Sequence, residues 1–259
     1  MTYEHMNPDR FADSAGVPWE GRTLQPNPHS NDDGAADPAL AQALAEFGAN
    51  RVSSAQVVLA LASARVLVPL IANLGEAEEG AHGHKVDKSA ELSIVAVQTP
   101  DGQAALPVFT SVETMKVWNP LARPVPVQGQ RAALAAATEG QTRLVIDAGS
   151  ETEFVLRRPA IWALAQNQTW IPAHLNEKVF EAFKAVVDLH PQVLKFNLAD
   201  GDPTCRLQNE ELQVRLGLSP DLTEFQIEQL VAKLSEGWAQ RGEIPQFVDS
   251  LHLKIVSVA

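Results

Sequence analysis

The sequence has little cysteine and a shortage of basic side chains. Cys205 is the single cysteine among 259 residues, so no disulfide can form within the chain, and a reducing compartment is expected. Basic residues number 20 against 32 acidic ones, a formal net charge of −12. Since nucleic acids and anionic membranes are bound through concentrated Lys and Arg, this balance argues against both as partners.

Long hydrophobic runs are also missing. The longest, residues 66–72, is too short to cross a bilayer. Residues 1–16 carry acids and no apolar segment, so we expect no secretory signal. We therefore expect a cytoplasmic protein.

Motifs typical of catalytic and cofactor sites do not occur. The sequence contains no GxGxxG, P-loop, GxSxG, HExxH or CxxC pattern. We accordingly predict no catalytic residue and no cofactor. The missing motifs make an enzyme less expected without excluding one.

Composition and periodicity predict an α+β protein with two small mixed α/β domains. Residues 1–36, rich in Pro, Asn, Asp and Ser, indicate an extended tail. Residues 37–168 form the first predicted domain, and the stretch 166–172 is interpreted as a linker or a boundary. After it the amphipathic pattern restarts, and residues 173–259 predict a two-layer αββαβ domain.

The middle of the first domain contains clear turn and cap signals. Residues 100–103, Pro-Asp-Gly-Gln, predict a hairpin between strands at 92–99 and 104–109. Thr110 and Glu113 have capping-box spacing, which predicts a helix beginning there. The run ARPVPV at 122–127 is interpreted as a stiff, extended connector.

Three residues are candidates for binding. Trp19 lies in a polar, proline-containing segment, so it either docks on the protein or anchors a partner. Arg123 either binds an anion or holds the connector. Asp147 follows a buried strand, a common place for functional acids, although Asp also begins turns.

Metal binding and thiol chemistry have weak candidates only. His82 and His84 lie near three glutamates in a glycine-rich loop, but their spacing matches no closed site, so we predict no metal. Cys205 would need a nearby base and a lowered pKa to act as a nucleophile, and is interpreted as a thiol at the edge of a turn. Lys88 is interpreted as a solvated flank of a strand.

Several segments together resemble the SseB, or enhanced serine sensitivity, family in its actinobacterial form. They are LSIVAVQTPDGQAALPVFTSVETMKVWNPLARPVPV (92–127), LVIDA (144–148), FVLRRPAIWALA (154–165) and VPWEGR (17–22). The resemblance covers about residues 17–170, and the C-terminal region is similar to the family's second domain more loosely. It implies a fold and a relationship, and it supplies no catalytic residues.

The function expected from these observations is a non-enzymatic cytoplasmic module that binds a protein partner, whose identity and oligomeric state stay open. The alternatives are a small-molecule enzyme, such as a hydrolase or an enzyme of amino-acid or sulfur metabolism, and an inhibitory or chaperone-like partner. A deep pocket with converging titratable groups would favour the enzyme. An exposed apolar surface would favour interaction.

Overall fold

Helices and short strands alternate along the described part of the chain. The computed structural model describes residues 32–73 and 91–257. Their content of helices and small sheets confirms the predicted α+β class. In chain order the elements are α1 (Pro38–Gly48), α2 (Ser54–Ser63), β1 (Arg65–Asn73), β2 (Glu91–Ile94), β3 (Val97–Gln98), β4 (Ala104–Val108), α3 (Val112–Trp118), β5 (Arg123–Gln128), α4 (Gly129–Thr138), β6 (Arg143–Ile146), β7 (Phe154–Arg157), α5 (Arg158–Ala165), a 3₁₀ turn (Ala173–Leu175), α6 (Glu177–Val187), β8 (Val193–Asp200), β9 (Leu212–Leu218), α7 (Glu224–Ala239), α8 (Glu243–Phe247) and β10 (Leu251–Val256).

Local cap signals place several helix starts correctly. The Asp37 carboxylate accepts hydrogen bonds from the first-turn N–H groups of α1, and Pro38 is the first helical residue. Thr223 and Gln226 form a capping box at the start of α7. These starts depend on contacts within four residues, which is why the sequence reveals them.

The predicted capping box of α3 is wrong by one residue. Ser111, not Thr110, is the N-cap, and its hydroxyl accepts from the Thr114 N–H at 3.2 Å. Thr110 is instead drawn to Asp147, whose carboxylate accepts both its N–H and its hydroxyl. A long-range partner therefore competes successfully for the residue with the better local spacing.

The predicted hairpin is present, but its first strand is divided. Thr99 and Gly102 close the turn through backbone hydrogen bonds, and Gly102 has a φ of 78°. Only β3 pairs with β4, whereas β2 pairs with β1 in another sheet. The single strand expected over 92–99 is thus shared between two sheets.

The run ARPVPV is a strand, which corrects its interpretation as a connector. β5 pairs antiparallel with β1 along its whole length, from Arg123 opposite Leu70 to Gln128 opposite Arg65. The sheet order is β2-β1-β5, so β5 is an edge strand. An edge tolerates Pro124 and Pro126 because one side of the strand needs no N–H donors.

The first hydrophobic core lies under a four-stranded sheet of order β3-β4-β6-β7 and is shared with β1. Helices α1, α2, α4 and α5 supply its other wall. Phe47 and Phe154 meet edge to face there, with ring centroids 5.1 Å apart. A bridge between Leu67 and Phe109 joins the two sheets of this region.

The second core lies between α6, α7 and a three-stranded sheet of order β10-β9-β8. Phe183 and Trp238 are central to it, and the Trp238 indole donates to the Phe183 carbonyl at 3.2 Å. Residues from Gly34 onward form one compact unit that contains both cores. The division into domains at 37–168 and 173–259 stays a prediction.

Within the described residues, none of the helices is both long and apolar enough to cross a membrane.

Candidate functional site

Asp147 is buried at the carboxyl end of β6, with only 1% of its surface exposed. Its backbone is left-handed, with a φ of 49°. Both carboxylate oxygens accept hydrogen bonds, from the Thr110 N–H and hydroxyl at 2.7 Å each and from the Thr152 hydroxyl at 3.0 Å. The carboxylate therefore ties the start of α3 to the loop after β6, and its role in ligand binding stays a prediction.

The structure does not bring the predicted binding residues together. Arg123 is exposed at the first position of β5. The hydrogen bonds to the Asp147 carboxylate come from threonines and not from Arg123. Trp19 lies outside the described residues, as do His82, His84 and Lys88. Ligand binding by Arg123 and Trp19 also stays a prediction.

Cys205 lies in the loop between β8 and β9, beside a small cavity that is partly open to solvent. The cavity is about 40 Å³ and is also lined by Arg157, Asp202, Glu211 and His174. Burial raises the pKa of the Cys205 thiol to about 12, so a reactive thiolate is not formed near neutral pH. A cavity of this size holds water, whereas small-molecule sites are roughly 300 Å³ or larger.

Glu211 is a partly buried titratable group that lines this cavity. Burial raises its pKa to about 7. Its Oε2 accepts a hydrogen bond from the Asp249 N–H at 2.6 Å, which opposes that rise. The group has a suitable pKa for proton transfer, but the cavity leaves no room for a substrate beside it.

A buried cluster of charges connects the two core regions. Arg143 makes a bidentate contact with Asp249, with both nitrogen–oxygen distances at 2.8 Å. Arg143 also donates to Asp101 at 2.7 Å, and Arg157 donates to Asp202 at 2.8 Å. Apart from that of Asp101, these side chains are each at most 10% exposed. We call these five residues the ionic junction.

The ionic junction resolves an unfavourable pairing in the sheet. Arg143 and Arg157 are directly opposite each other in β6 and β7, a position where like charges destabilise. Burial acts to lower the pKa of Arg157, but the hydrogen bond and charge of Asp202 outweigh it and raise this pKa. The aspartates thus compensate the charges of both guanidinium groups, and the Nη1 and Nη2 groups of each arginine donate to acceptors within the protein.

A surface groove larger than the cavity beside Cys205 lies where the two core regions meet. It has a volume of about 250 Å³, and its walls come from α5, the segment 166–171, the start of α6, and α8. We call it the aromatic groove, because its large side chains include two tryptophans and one phenylalanine. They are Trp162, Trp170, Phe247 and the aliphatic Ile171, with Pro159 beside them.

A helix-ending motif builds one wall of the aromatic groove. Asn167 has a left-handed φ of 55°, and its N–H donates to the Leu164 carbonyl at 3.0 Å. The next N–H, of Gln168, reaches back to the Ala163 carbonyl at 2.8 Å. This is a Schellman motif, which reverses the chain after α5 so that Trp170 and Ile171 return beside it.

Arg158 fixes the opposite wall. Its guanidinium donates to the carbonyls of Pro245 and Val248, both at 2.8 Å, and so holds α8 against α5. The same group lies 5.1 Å from the Trp162 ring centroid, within range of a cation–π contact. Two walls of the groove are therefore clamped by one side chain.

The groove exposes apolar side chains together with neutral and cationic polar groups. Trp162 is 43% exposed and Ile171 is 50% exposed. The Lys178 ammonium lies 5.7 Å from the Phe247 ring. The remaining polar lining residues are Gln166, Gln168, Thr169, Asn176 and Gln246, and among the described residues that line the groove none is acidic.

Sequence reasoning missed the groove because it interpreted residues 166–172 as a linker. One signal was available: Trp162 falls off the apolar stripe of α5, whose buried members include Ile161 and Leu164. A tryptophan placed off the core face of a helix indicates an exposed aromatic surface. Its neighbours from α8 lie more than 80 residues away in sequence and were not foreseeable.

Within the described residues, no group of three or more His, Cys, Asp and Glu side chains is placed to hold a metal ion. The described residues thus combine an α+β fold with an open aromatic groove of about 250 Å³ and a smaller cavity of about 40 Å³ beside Cys205. Residues 40–163, which run from α1 into α5, match the family model described as SseB protein N-terminal domain. This match supports the predicted assignment to the SseB family. No curated protein and no solved structure gives a significant match to the chain.

Proposed function

We propose that this protein is a non-enzymatic interaction module of the SseB family that binds a segment of a partner protein in the aromatic groove. The observation that carries the proposal is the exposure of Trp162 and Ile171 in a groove of about 250 Å³. Tryptophan is among the residues that dominate binding energy at protein interfaces. Exposed apolar side chains that share one groove are typical of interaction surfaces.

The walls of the groove favour a preformed site. The Schellman motif after α5 and the two hydrogen bonds from Arg158 to the end of α8 fix the backbone on both sides. A site that is already ordered loses little conformational entropy when a partner binds. The aromatic side chains add contact area with few rotatable bonds.

The polar lining suits a polypeptide backbone. Side-chain amides such as those of Gln166, Asn176 and Gln246 offer both donors and acceptors, which match peptide N–H and C=O groups. The Lys178 and Arg158 cations, with no acid in the lining, favour a segment that carries an acidic residue beside its apolar anchor.

Three finer assignments belong to the same proposal. The chain is of the actinobacterial SseB type, on the strength of the segments that resemble it. Residues 173–259 are the family's second domain, supported by the αββαβ order of α6, β8, β9, α7 and β10. The protein acts in the cytoplasm, for which the lone cysteine and the acidic composition are the supporting observations.

Affinity purification from the native host with matched variants tests the groove. Trp162→Ala should lower the affinity for a retained partner about 30-fold, since loss of an interface tryptophan costs roughly 2 kcal/mol. Phe225→Ala is the control, because Phe225 is 65% exposed and lies outside the groove. A partner retained equally by both variants would contradict the proposal, provided that thermal melting shows both to be folded.

The alternative function is a small-molecule enzyme, and one observation favours it. Glu211 has a pKa raised to about 7 and lines a cavity with Arg157 and Cys205. Screening metabolites by thermal shift, with Glu211→Gln as the comparison, addresses it directly. A ligand whose stabilisation depends on the Glu211 carboxylate would favour the enzyme over the interaction module.

A further inference from the structure

The three-stranded sheet of the second core ends in an exposed edge strand, β10. The strand order is β10-β9-β8, so within the described residues one edge of Leu251–Val256 has no neighbouring strand. The strand runs parallel to β9, with Leu251 opposite Leu212 and Val256 opposite Gly217. A free edge presents backbone N–H and C=O groups with the spacing that an added strand requires.

One face of β10 is apolar and incompletely covered. Leu253 packs against the second core from this face. Its neighbours two residues away, Leu251 and Ile255, point to the same side because side chains alternate along a strand. They are 38% and 48% exposed. The apolar surface of the core therefore continues past the helices to the edge of the sheet.

The other face of β10 is cationic. His252 and Lys254 are exposed there, and Arg215 of β9 lies directly opposite Lys254 in the sheet. Gln213 accepts from the Arg215 Nε at 2.6 Å, which helps to hold the guanidinium on this face. By register and alternation, the residues on this face are Lys195, Asn197, Ala199, Gln213, Arg215, Gly217, His252, Lys254 and Val256, with no acid among them.

This distribution contrasts with the rest of the same region. The helices on the opposite side of the sheet carry more acids than bases, with Glu177, Glu181, Glu224, Glu228 and Glu236 against Lys178, Lys184 and Lys233. The whole chain has a net charge of −12. The cationic sheet face is therefore a local reversal of sign, which selects for a negatively charged partner.

We propose that the free edge of β10 accepts an extended segment of a partner protein as a fourth strand, and that this segment alternates apolar and acidic side chains. Its apolar residues cover Leu251 and Ile255, and its acidic residues face His252, Lys254 and Arg215. The backbone hydrogen bonds hold the segment, and the two chemically different faces of β10 set its register.

A second copy of this chain fits the edge poorly. Pairing β10 with β10 of another copy would place His252 and Lys254 among the same cations, and like charges on neighbouring strands destabilise a sheet. Nucleic acid fits poorly as well. None of the residues named for the cationic face is a Trp, Tyr or Phe, and His252 is its one aromatic side chain, whereas single-stranded nucleic acid is held largely by several bases stacked on such rings.

Fluorescence anisotropy with synthetic peptides tests the proposal on the full-length protein. The probe is a fluorescein-labelled peptide whose six central residues, the length of β10, alternate isoleucine and glutamate. A matched peptide with lysine in place of glutamate should bind roughly tenfold more weakly. Methylation of alternate backbone nitrogens on the pairing side should abolish binding, because it removes the N–H donors of the added strand.

Two variants of equal charge change separate the edge from a general charge effect. Lys254→Glu should weaken binding of the glutamate peptide roughly fivefold and strengthen binding of the lysine peptide. Lys233→Glu, on the exposed surface of α7, should leave both unchanged. If Lys254→Glu does not fold, the methylated peptide still decides the question on the unaltered protein.

Equal binding of the glutamate and lysine peptides, or of the methylated and unmethylated peptides, would overturn the proposal. A single-stranded oligonucleotide that binds more tightly than the glutamate peptide would also overturn the proposal. A concentration-dependent dimer in sedimentation that dissociates in Ile255→Asp would show that a second copy occupies the edge instead.

Discussion

Replacing Asp249 with asparagine removes the central anion of the ionic junction without changing the size of the side chain. Asp249 lies in the loop before β10, 106 residues from Arg143, and accepts two hydrogen bonds from its guanidinium at 2.8 Å. It also lies 3.5 Å from Arg157. The Asp249 side chain is 6% exposed, so solvent screens these contacts weakly.

Asp249→Asn should lower the free energy of unfolding by about 3 kcal/mol. A hydrogen bond to a charged group contributes roughly 1.5–3 kcal/mol, and two are lost or weakened. Removal of one partner of a buried ion pair costs roughly 3–5 kcal/mol. We expect the lower end of that range, because Arg143 keeps its salt bridge with Asp101 and Arg157 keeps its salt bridge with Asp202.

Urea unfolding followed by tryptophan fluorescence measures the effect. Variants are compared only where the slope of the free energy of unfolding against urea concentration is unchanged. Asp188→Asn is the matched control. It removes the anion of an i, i+4 pair with Lys184, in which the side chains are 43% and 57% exposed. A pair so accessible to solvent contributes little to stability, so this control should unfold close to the wild type.

A double-mutant cycle isolates the contact between the two side chains. Arg143→Met alone leaves the buried Asp249 carboxylate with only the longer contact to Arg157, so the double variant Arg143→Met/Asp249→Asn should be more stable than the sum of the single losses predicts. A loss below about 1 kcal/mol for Asp249→Asn, or a loss no larger than that of the surface control, would refute the reasoning.

Three further predictions concern other parts of the chain. Glu211→Gln should stabilise the protein above pH 7 by about 2 kcal/mol. The pKa of Glu211 in the folded protein is raised to about 7, so the wild type loses stability as pH rises through that value. In parallel melts the gain should disappear near pH 4. Gly129→Ala should destabilise by roughly 2 kcal/mol, because its Cβ would lie 2.0 Å from the Leu61 carbonyl oxygen, whereas Gly48→Ala meets no atom within 4 Å and should not destabilise. Limited proteolysis should cut near Gln166–Pro172 if residues 37–168 and 173–259 are separate packing units, and a segment 166–172 that is cut no sooner than the helices of either unit would contradict that division.

The sequence alone determined the features that depend on near neighbours. Asp37 followed by Pro38 is sufficient to begin a helix, because the cap and its N–H partners lie within three residues. The Pro-Asp-Gly turn at 100–102 likewise specifies a reversal, since Gly102 adopts the positive φ that the turn needs. Alternation of apolar residues was enough to predict the strands of the second core and hence the α+β class.

Only the tertiary structure decided where those elements pair. The stretch 92–99 is one strand by composition, yet β2 and β3 join different sheets. The run ARPVPV became a strand because β1 lay beside it with an unpaired edge. Thr110 does not cap α3, because its hydroxyl donates to the Asp147 carboxylate, 37 residues away. In each case a distant partner supplies the hydrogen bonds, and no local pattern encodes that partner.

The surfaces proposed for binding were decided in the same way. The aromatic groove needs Trp162 beside Phe247, and Arg158 brings them together through carbonyls 87 and 90 residues along the chain. The cationic face needs β9 and β10 to lie parallel so that Arg215 meets Lys254. Sequence patterning determines which side of a strand or helix is apolar, because that depends on a period of two or 3.6 residues. Which exposed side chains share a surface depends on packing between elements remote in the chain, and that packing is fixed only when the whole core forms.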